Sequence, residues 1–428
     1  MRTSMRWVFG AVAVVLLVLV GCGNGEQSEE AGEEERRLVI WSFTDELEYA
    51  IEEFQSRNPD VEIDFNIVPT EDYMARIRPV LQSGRNAPDV FTGEAAFVRE
   101  LVESGFWEPL DQDPYNADTS ALYPYVSQVA TDHDGVLRAL SWQTTPGAVF
   151  YRRSIAREYL GTDDPEVIGE RLSTFEGMLE LGRELHDASD GAIHLLPEIG
   201  SKLNWYLPNR QQPWVNSDNQ FTIDDAIVDH LEMARTLRQE SLESGREAWT
   251  PAWFDGMGAE TDTFAYTLPT WGLHFVLKGN AEGSDSDWAV TNGPDDYFWG
   301  GTWLGVYRNS ERKNLAWEFV EMMTLDEEFL EQWASDTGDF LSNIEVVDRI
   351  RNDFSDPFLG GQNHYAFFAE RAPNVDGSLI TRYDQDIETI LDNARDQFID
   401  NEVDLQTALD IIYDEVEATY PQFEVIRR

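Results

Sequence analysis

Cysteine is almost missing from this 428-residue chain; one occurs, Cys22. A lone thiol forms no internal disulfide, so no covalent framework holds the fold. Lysine is nearly missing too, with only Lys202, Lys278 and Lys313 beside 28 arginines. Positive charge as a whole is scarce: 31 basic residues face 81 acidic ones, a net charge of −50. That charge repels nucleic acid and anionic headgroups, and no basic patch interrupts it, which excludes nucleic-acid binding. Acid excess with few lysines also fits work in high salt, where self-repulsion is screened. Catalytic signatures are absent as well. The six histidines show no metal-ligand spacing, and H-E-x-x-H does not occur. There is no G-x-S-x-G elbow, no P-loop, and no G-x-G-x-x-G after the first strand. Asp285-Ser286-Asp287 is too short for a calcium loop. No catalytic residue, metal or cofactor is therefore expected.

Apolar runs are short everywhere except at the start. Arg2 and Arg6 precede an apolar stretch from Trp7 to Val20, which ends in Leu19-Val20-Gly21-Cys22. This is the layout of a signal peptide, and it falls short of the roughly 20 apolar residues of a spanning helix. The ending resembles a bacterial lipobox, in which the cysteine is acylated and becomes the new N-terminus. Residues 1–21 are thus expected to be removed, and Cys22 to carry a lipid that holds the protein at the outside of the cell membrane. The remaining 407 residues carry −52, since residues 1–21 hold two arginines and no acid. Residues 22–37 are rich in Glu, Gly and Ser and read as a flexible tether. A chain of this length exceeds one core, so two domains are expected.

Order begins at Leu38. Leu38-Val39-Ile40-Trp41 reads as a strand, and Leu47, Ile51 and Phe54 recur at helical spacing up to Asn58-Pro59. Val61, Ile63, Phe65 and Ile67 alternate with polar residues as a half-buried strand does. A helix over 71–83, a strand from Asp89 and a helix over 95–103 follow. This β-α-β-α-β order predicts a mostly parallel sheet covered by helices. Ser173 with Glu176 reads as a capping box. Residues 190–221, rich in Asn, Pro, Trp and Gly, read as loops around a cleft. Two helices close the chain, one through Ile387, Leu391 and Phe398 and one through Leu409, Ile412 and Val416.

What is plentiful is tryptophan. Trp142, Trp205, Trp214, Trp271, Trp299 and Trp303 lie in predicted loops or at strand ends. An indole offers a flat apolar face and one N–H donor. A pyranose offers a flat apolar face and a rim of hydroxyls. Stacking plus carboxylate or amide hydrogen bonds is the chemical answer to sugar binding. Each single indole also suits ordinary core packing. A pair of carboxylates would serve a secreted glycoside hydrolase, but no pair stands out among 81 acids.

The order of motifs resembles the family 1 extracellular solute-binding proteins, the maltose- and oligosaccharide-type receptors of ABC importers. The matching segments are Leu38 to Phe43, Phe54 to Pro59, Val61 to Pro69 and Ala87-Pro88-Asp89-Val90-Phe91. Gly105 to Asp111, Pro269-Thr270-Trp271-Gly272, Gly300 to Val306 and Ala316 to Val320 continue the likeness. The resemblance implies an α/β, two-lobe, periplasmic-binding-protein-like fold of type II character, with a ligand cleft between the lobes. It puts lobe one at 38–144 plus 300–338 and lobe two at 147–297 plus 341–428. Hinges then fall near Thr145-Pro146, Asp296–Trp299 and Asp339. By the same likeness, Ser42, Asp45 and Glu94 face the cleft from lobe one. Trp142 and Gln143 enter the hinge, Trp271 stacks from lobe two, and Gly301 and Trp303 sit where the chain returns. Trp205 is a further candidate, although its segment matches no motif. The implied role is that of a monomeric receptor without enzyme activity, which captures a sugar by hinge closure and hands it to membrane permease subunits. A same-fold receptor for a cationic solute such as a polyamine is the alternative that the acidity invites.

Overall fold

The computed structural model describes residues 36–428. The signal segment, Cys22 and nearly all of the tether lie outside the described residues. Nine strands occur among the described residues: β1 (Arg37–Ser42), β2 (Glu62–Ile67), β3 (Val90–Glu94), β4 (Gly147–Arg152), β5 (Gln220–Thr222), β6 (Ala265–Pro269), β7 (Trp288–Thr291), β8 (Thr302–Val306) and β9 (Glu424–Ile426). The first four-stranded sheet has the order β2-β1-β3-β8. Its first three strands are parallel, with Ile40 opposite Phe65 on one side and Val90 on the other. Helices make the crossovers: α1 (Leu47–Arg57) and α2 (Thr70–Ser83). In α1, Leu47, Ala50, Ile51 and Phe54 form the buried stripe, at i, i+3, i+4 and i+7. α2 stops at Gly84, whose φ of +66° suits a residue without a side chain. β8 returns from far along the chain and pairs antiparallel with β3, Thr92 opposite Leu304.

The second sheet, β6-β4-β7, is antiparallel throughout. Phe150 lies opposite Tyr266 on one side and Val290 on the other. Every residue of β4 is buried: Gly147 to Tyr151 form an apolar run, as a strand covered on both faces requires, and Arg152 ends it with its guanidinium paired to Asp287 at 2.8 Å. Val149 and Tyr151 pack with the helices Pro165–Leu172, Phe175–Ala188 and Asp225–Gln239 and with the two C-terminal helices. Ala148 and Phe150 join a separate cluster that runs without a break to Ile40 and Phe91 of the first sheet. The two lobes therefore share apolar core along one side. β5 and β9 pair in parallel and tie down the C-terminus.

The N-cap lies one residue further on than expected, and no capping box forms, because the third helical residue is Gly177. Ser173 belongs to the end of the preceding helix, where its hydroxyl donates to the Glu170 carbonyl at 2.7 Å. Thr174 is extended instead, and its Oγ1 accepts from the Gly177 N–H at 3.0 Å.

Three segments pass between the sheets side by side. Gly147 N–H donates to the Tyr297 carbonyl at 2.8 Å, and Trp299 N–H to the Thr145 carbonyl at 3.2 Å. Thr144 N–H donates to the Phe340 carbonyl at 2.9 Å, and Ser342 N–H to the Trp142 carbonyl at 2.8 Å. The Tyr125 hydroxyl accepts from Thr145 N–H at 2.7 Å. Gly147 is fitted tightly: a Cβ there would lie 2.0 Å from Cζ of Tyr297. Gly147→Val is expected to destabilise the protein by about 3 kcal/mol, the upper end for overpacking a closed site. Chemical denaturation checks this; a loss below about 0.5 kcal/mol, the level of a free surface site, would show that the crossing has slack.

Candidate functional site

The cleft begins where β3 ends. Glu94 caps α3 (Ala95–Ser104), with its carboxylate accepting from Ala96 N–H at 2.7 Å. Ala95 N–H in turn donates to the Gly301 carbonyl at 3.1 Å, which fixes this corner to the returning crossing. Gly300 and Gly301 have φ of +70° and +117° there, so the backbone passes close beneath the indoles. A Cβ on Gly300 would stand 2.9 Å from Nε1 of Trp271.

A cavity of about 340 Å³ opens at this corner. Glu94 and the crossing residues Tyr297 to Gly300 form one side. Asn204, Leu207, Pro208 and Arg210, in or beside short 3-10 turns, and the helix Asp384–Ile399 form the other. A second cavity of about 550 Å³ adjoins it and shares Asn204, Trp299, Glu388 and Asp392. Both volumes fall in the range of ordinary ligand sites, about 300–1,000 Å³.

Three indoles gather at the rim. Trp271 donates its Nε1–H to the Trp299 carbonyl at 2.9 Å. Trp249 stacks on Trp271 at 6.1 Å and 14°, and Trp299 meets Trp271 edge-on at 5.8 Å. Trp249 is 52% exposed, although it is among the largest apolar side chains. Its φ is +67°, a left-handed conformation that costs energy for a bulky residue. An exposed indole held in a strained backbone is an arrangement that folding alone does not call for.

The polar wall is acidic. On the helix Asp384–Ile399, the residues Asp384, Glu388 and Asp392 lie at i, i+4 and i+8, one face of the helix. Arg210 approaches Asp384 at 3.5 Å and covers the Trp214 ring at 4.6 Å. Arg395 holds Asp392. Burial pushes the Glu388 carboxyl up to about 8, with the Asp384 charge adding to it. Burial likewise pushes Glu94 to about 7 and Asp392 to about 6.

These shifts have a consequence for stability. A carboxyl whose folded pKa is raised binds its proton more readily folded than unfolded, so folding weakens as pH climbs through that window. Glu46, pushed to about 8 by burial and the Asp339 charge, acts in the same direction. Burial pushes His230 and His274 down to about 3 and His364 to about 4, and these work the opposite way up to about pH 6.5. The melting temperature is therefore expected to fall between about pH 6.5 and pH 8, and to fall less in Glu94→Gln/Glu388→Gln. Scanning calorimetry across that range decides it; a flat or rising profile would contradict the assignment.

The residues singled out in the sequence separate into two groups. Glu94 lines the cavity. Trp271 stands at its rim, and Gly301 forms the close backbone corner. Trp142, Trp205 and Trp303 are instead buried in the lobes and do not line either cavity. The Trp142 indole donates to Asp339 at 3.0 Å, and that of Trp303 to the Val126 carbonyl at 3.0 Å. Trp205 packs edge-on against Tyr297 at 6.3 Å. Their faces are committed to protein, which corrects the placement of these three on the cleft surface. Ser42 is also buried, in a hydroxyl relay with Thr92 at 3.3 Å. Gln143 is buried beside the crossing, with no partner for its Oε1. Asp45 is exposed and lines neither cavity. Trp249, Arg210 and Glu388 were not singled out. Trp249 follows no motif, and Glu388 is one acid among many.

Two α/β lobes joined by three crossings, with a cavity at the join, define a two-lobe binding-protein fold. Residues 49–356 match the family described as bacterial extracellular solute-binding protein, and the chain belongs to that family. Its members are solute receptors that work outside the cytoplasm and are generally not enzymes. The fold is similar to that of a crystallised family 1 extracellular solute-binding protein, with 15% identity, a TM-score of 0.80, and coverage of 89% of this chain and 99% of the other. It is also similar to the GacH receptor of Streptomyces glaucescens, with 16% identity, a TM-score of 0.72, and coverage of 91% and 99%. The sugar-binding protein MalE of Xanthomonas citri matches at 15% identity and a TM-score of 0.73, over 90% and 98%. Among the described residues no helix is long and apolar enough to cross a membrane, and no cluster of side chains suits a metal ion.

Proposed function

We propose that this protein is the carbohydrate-binding receptor of an ABC importer. The observation that carries the reading is the indole cluster at the cleft: Trp249 exposed and strained, stacked on Trp271, with Trp299 lining both cavities. Such faces suit pyranose rings, and the facing carboxylates suit hydroxyls. The structures of similar fold support it, since GacH has been crystallised with acarbose and MalE is a sugar-binding protein. In this reading lobe one spans 38–144 and 300–338, lobe two spans 147–297 and 341–428, and the crossings act as hinges. Closure traps the ligand and excludes water, and the closed form docks on permease subunits. No bond is made or broken. Lipid on Cys22 holds a monomeric receptor at the membrane, and residues 22–37 act as its leash. The tether raises the local concentration of loaded receptor near the permease.

A panel of neutral mono- and oligosaccharides tests this. At least one is expected to raise the melting temperature and quench tryptophan fluorescence. If the whole panel does neither while spermidine does both, the receptor serves a cationic solute and the sugar reading fails.

A further inference from the structure

Glu94 and Glu388 approach the same cavity from different lobes, and among the described residues each lacks a cationic side-chain partner of its own. Glu94 accepts from the first N–H groups of α3 and, among the described residues, forms no ion pair. Glu388 stands one turn from Asp384 and one turn from Asp392. Their arginines are taken, Arg210 by Asp384 and Arg395 by Asp392 and Asp396. The nearest counter-charge to Glu388 is thus already neutralised by another acid. Asp376 lines the same space and adds no cation. The lining as a whole carries five carboxylates and one guanidinium.

Water solvates these carboxylates while the cleft is open. A neutral ligand that displaces the water leaves each carboxyl either to take up a proton or to stand as an unpaired charge in a medium that no longer stabilises it. Hydroxyl donors offset part of that cost. An ammonium group offsets more, because it supplies both the charge and up to three donors. Burial already opposes the charged form at both positions, as a site awaiting a counter-charge would show.

Arg210 supplies an independent sign of a polyhydroxylated ligand. It is 6% exposed and lines the cavity, and its Nη1 has no acceptor. A buried guanidinium donor without an acceptor is costly, and a ligand hydroxyl or ring oxygen would satisfy it. The rim indoles meanwhile suit a ring face.

We propose that the ligand is an amine-bearing saccharide, its ammonium held between Glu94 and Glu388 and an oxygen of it bound by Arg210. This inference rests on the sugar-receptor reading and narrows it. It differs from that reading in one respect: the charge on nitrogen is recognised, not the sugar skeleton alone.

The test uses full-length protein at pH 7 in 1 M NaCl, where the Debye length is about 3 Å. Attraction by the overall charge is then screened, and only contact within the site can favour a cation. The probes are glucosamine, galactosamine and the β-1,4-linked glucosamine disaccharide. Each is paired with its N-acetylated form and with the parent glucose, galactose or cellobiose. Calorimetry is expected to show at least one amine binding about tenfold or more tighter than both its neutral partners, a difference of about 1.4 kcal/mol. Glu388→Gln should erase that preference, while Glu415→Gln, on an exposed helix face, should keep it. If neutral partners bind as well as the amines or better, the inference falls and the sugar reading stands. If no member of these sets binds, the inference also falls, and the neutral panel above decides the sugar reading by itself. A preference that survives Glu388→Gln unchanged overturns the assignment of the ammonium to this carboxylate.

Discussion

Trp299→Ala is expected to weaken ligand binding by about 100-fold, a loss of about 2.7 kcal/mol typical of a central aromatic anchor. Trp299 lines both cavities, and its carbonyl holds the Trp271 indole. Removing the ring takes away one platform and opens the wall between the two spaces. The backbone bonds of residue 299 remain, so the crossing itself should persist. Titration calorimetry with the best saccharide of the panel measures the effect, with circular dichroism as the folding control. Trp142→Phe is the matching comparison. That indole is buried against Asp339 and lines neither cavity. It should lower the melting temperature with affinity nearly unchanged. Equal losses of affinity in both variants would show that the wall residues act through the fold and not through contact.

Asp339→Ala is expected to cost at least about 3 kcal/mol of stability, because it leaves three buried donors without their acceptor at about 1–3 kcal/mol each. Asp339 is buried at the third crossing. Its carboxylate accepts from the Trp142 indole at 3.0 Å, the Trp333 indole at 3.2 Å and the Phe340 N–H at 2.9 Å. Burial pushes its pKa up to about 6, so at neutral pH it is held as an anion by these three donors. Asp339→Asn keeps one acceptor oxygen but turns an amide donor toward an indole donor, so an intermediate loss is expected. Urea denaturation of the three proteins ranks them. An alanine variant as stable as the parent would mean that water replaces the carboxylate freely.

Much of the first lobe was legible because its signals are local. The spacing of Leu47, Ile51 and Phe54 states a face and a period, and that face is buried; the alternation from Val61 to Ile67 marks a strand whose Ile63 and Phe65 are half-buried while Ile67 stays exposed. The second sheet was less legible. β7 is four residues long and pairs with β4, which lies far away in sequence, and pairing at that distance leaves no periodic trace. The site divides the same way. Glu94 ends a strand whose start is marked by Pro88-Asp89-Val90-Phe91, and it lines the cavity. Trp142 and Trp303 were misplaced because indole identity says nothing about which side of a strand faces protein. Trp249 left no signal: its importance lies in a positive φ and a neighbour 22 residues away. The Asp384–Glu388–Asp392 stripe was visible as spacing, but in so acidic a chain the spacing had no contrast.

The three crossings carry one more implication, for what happens when the backbone is cut. Lobes tied by one linker come apart with one nick. Here the segments at 142–147, 297–300 and 339–343 are laced to one another by backbone hydrogen bonds, and shared apolar core runs beside them. A protease that severs one passage leaves two covalent ties and most of the lacing. The nicked protein should run as fragments under denaturing conditions yet stay whole, and hold its shape, in native buffer. The same redundancy makes the chain a candidate for splitting into two separately expressed pieces that reassemble. A receptor exposed to proteases outside the cell gains durability from being sewn together three times.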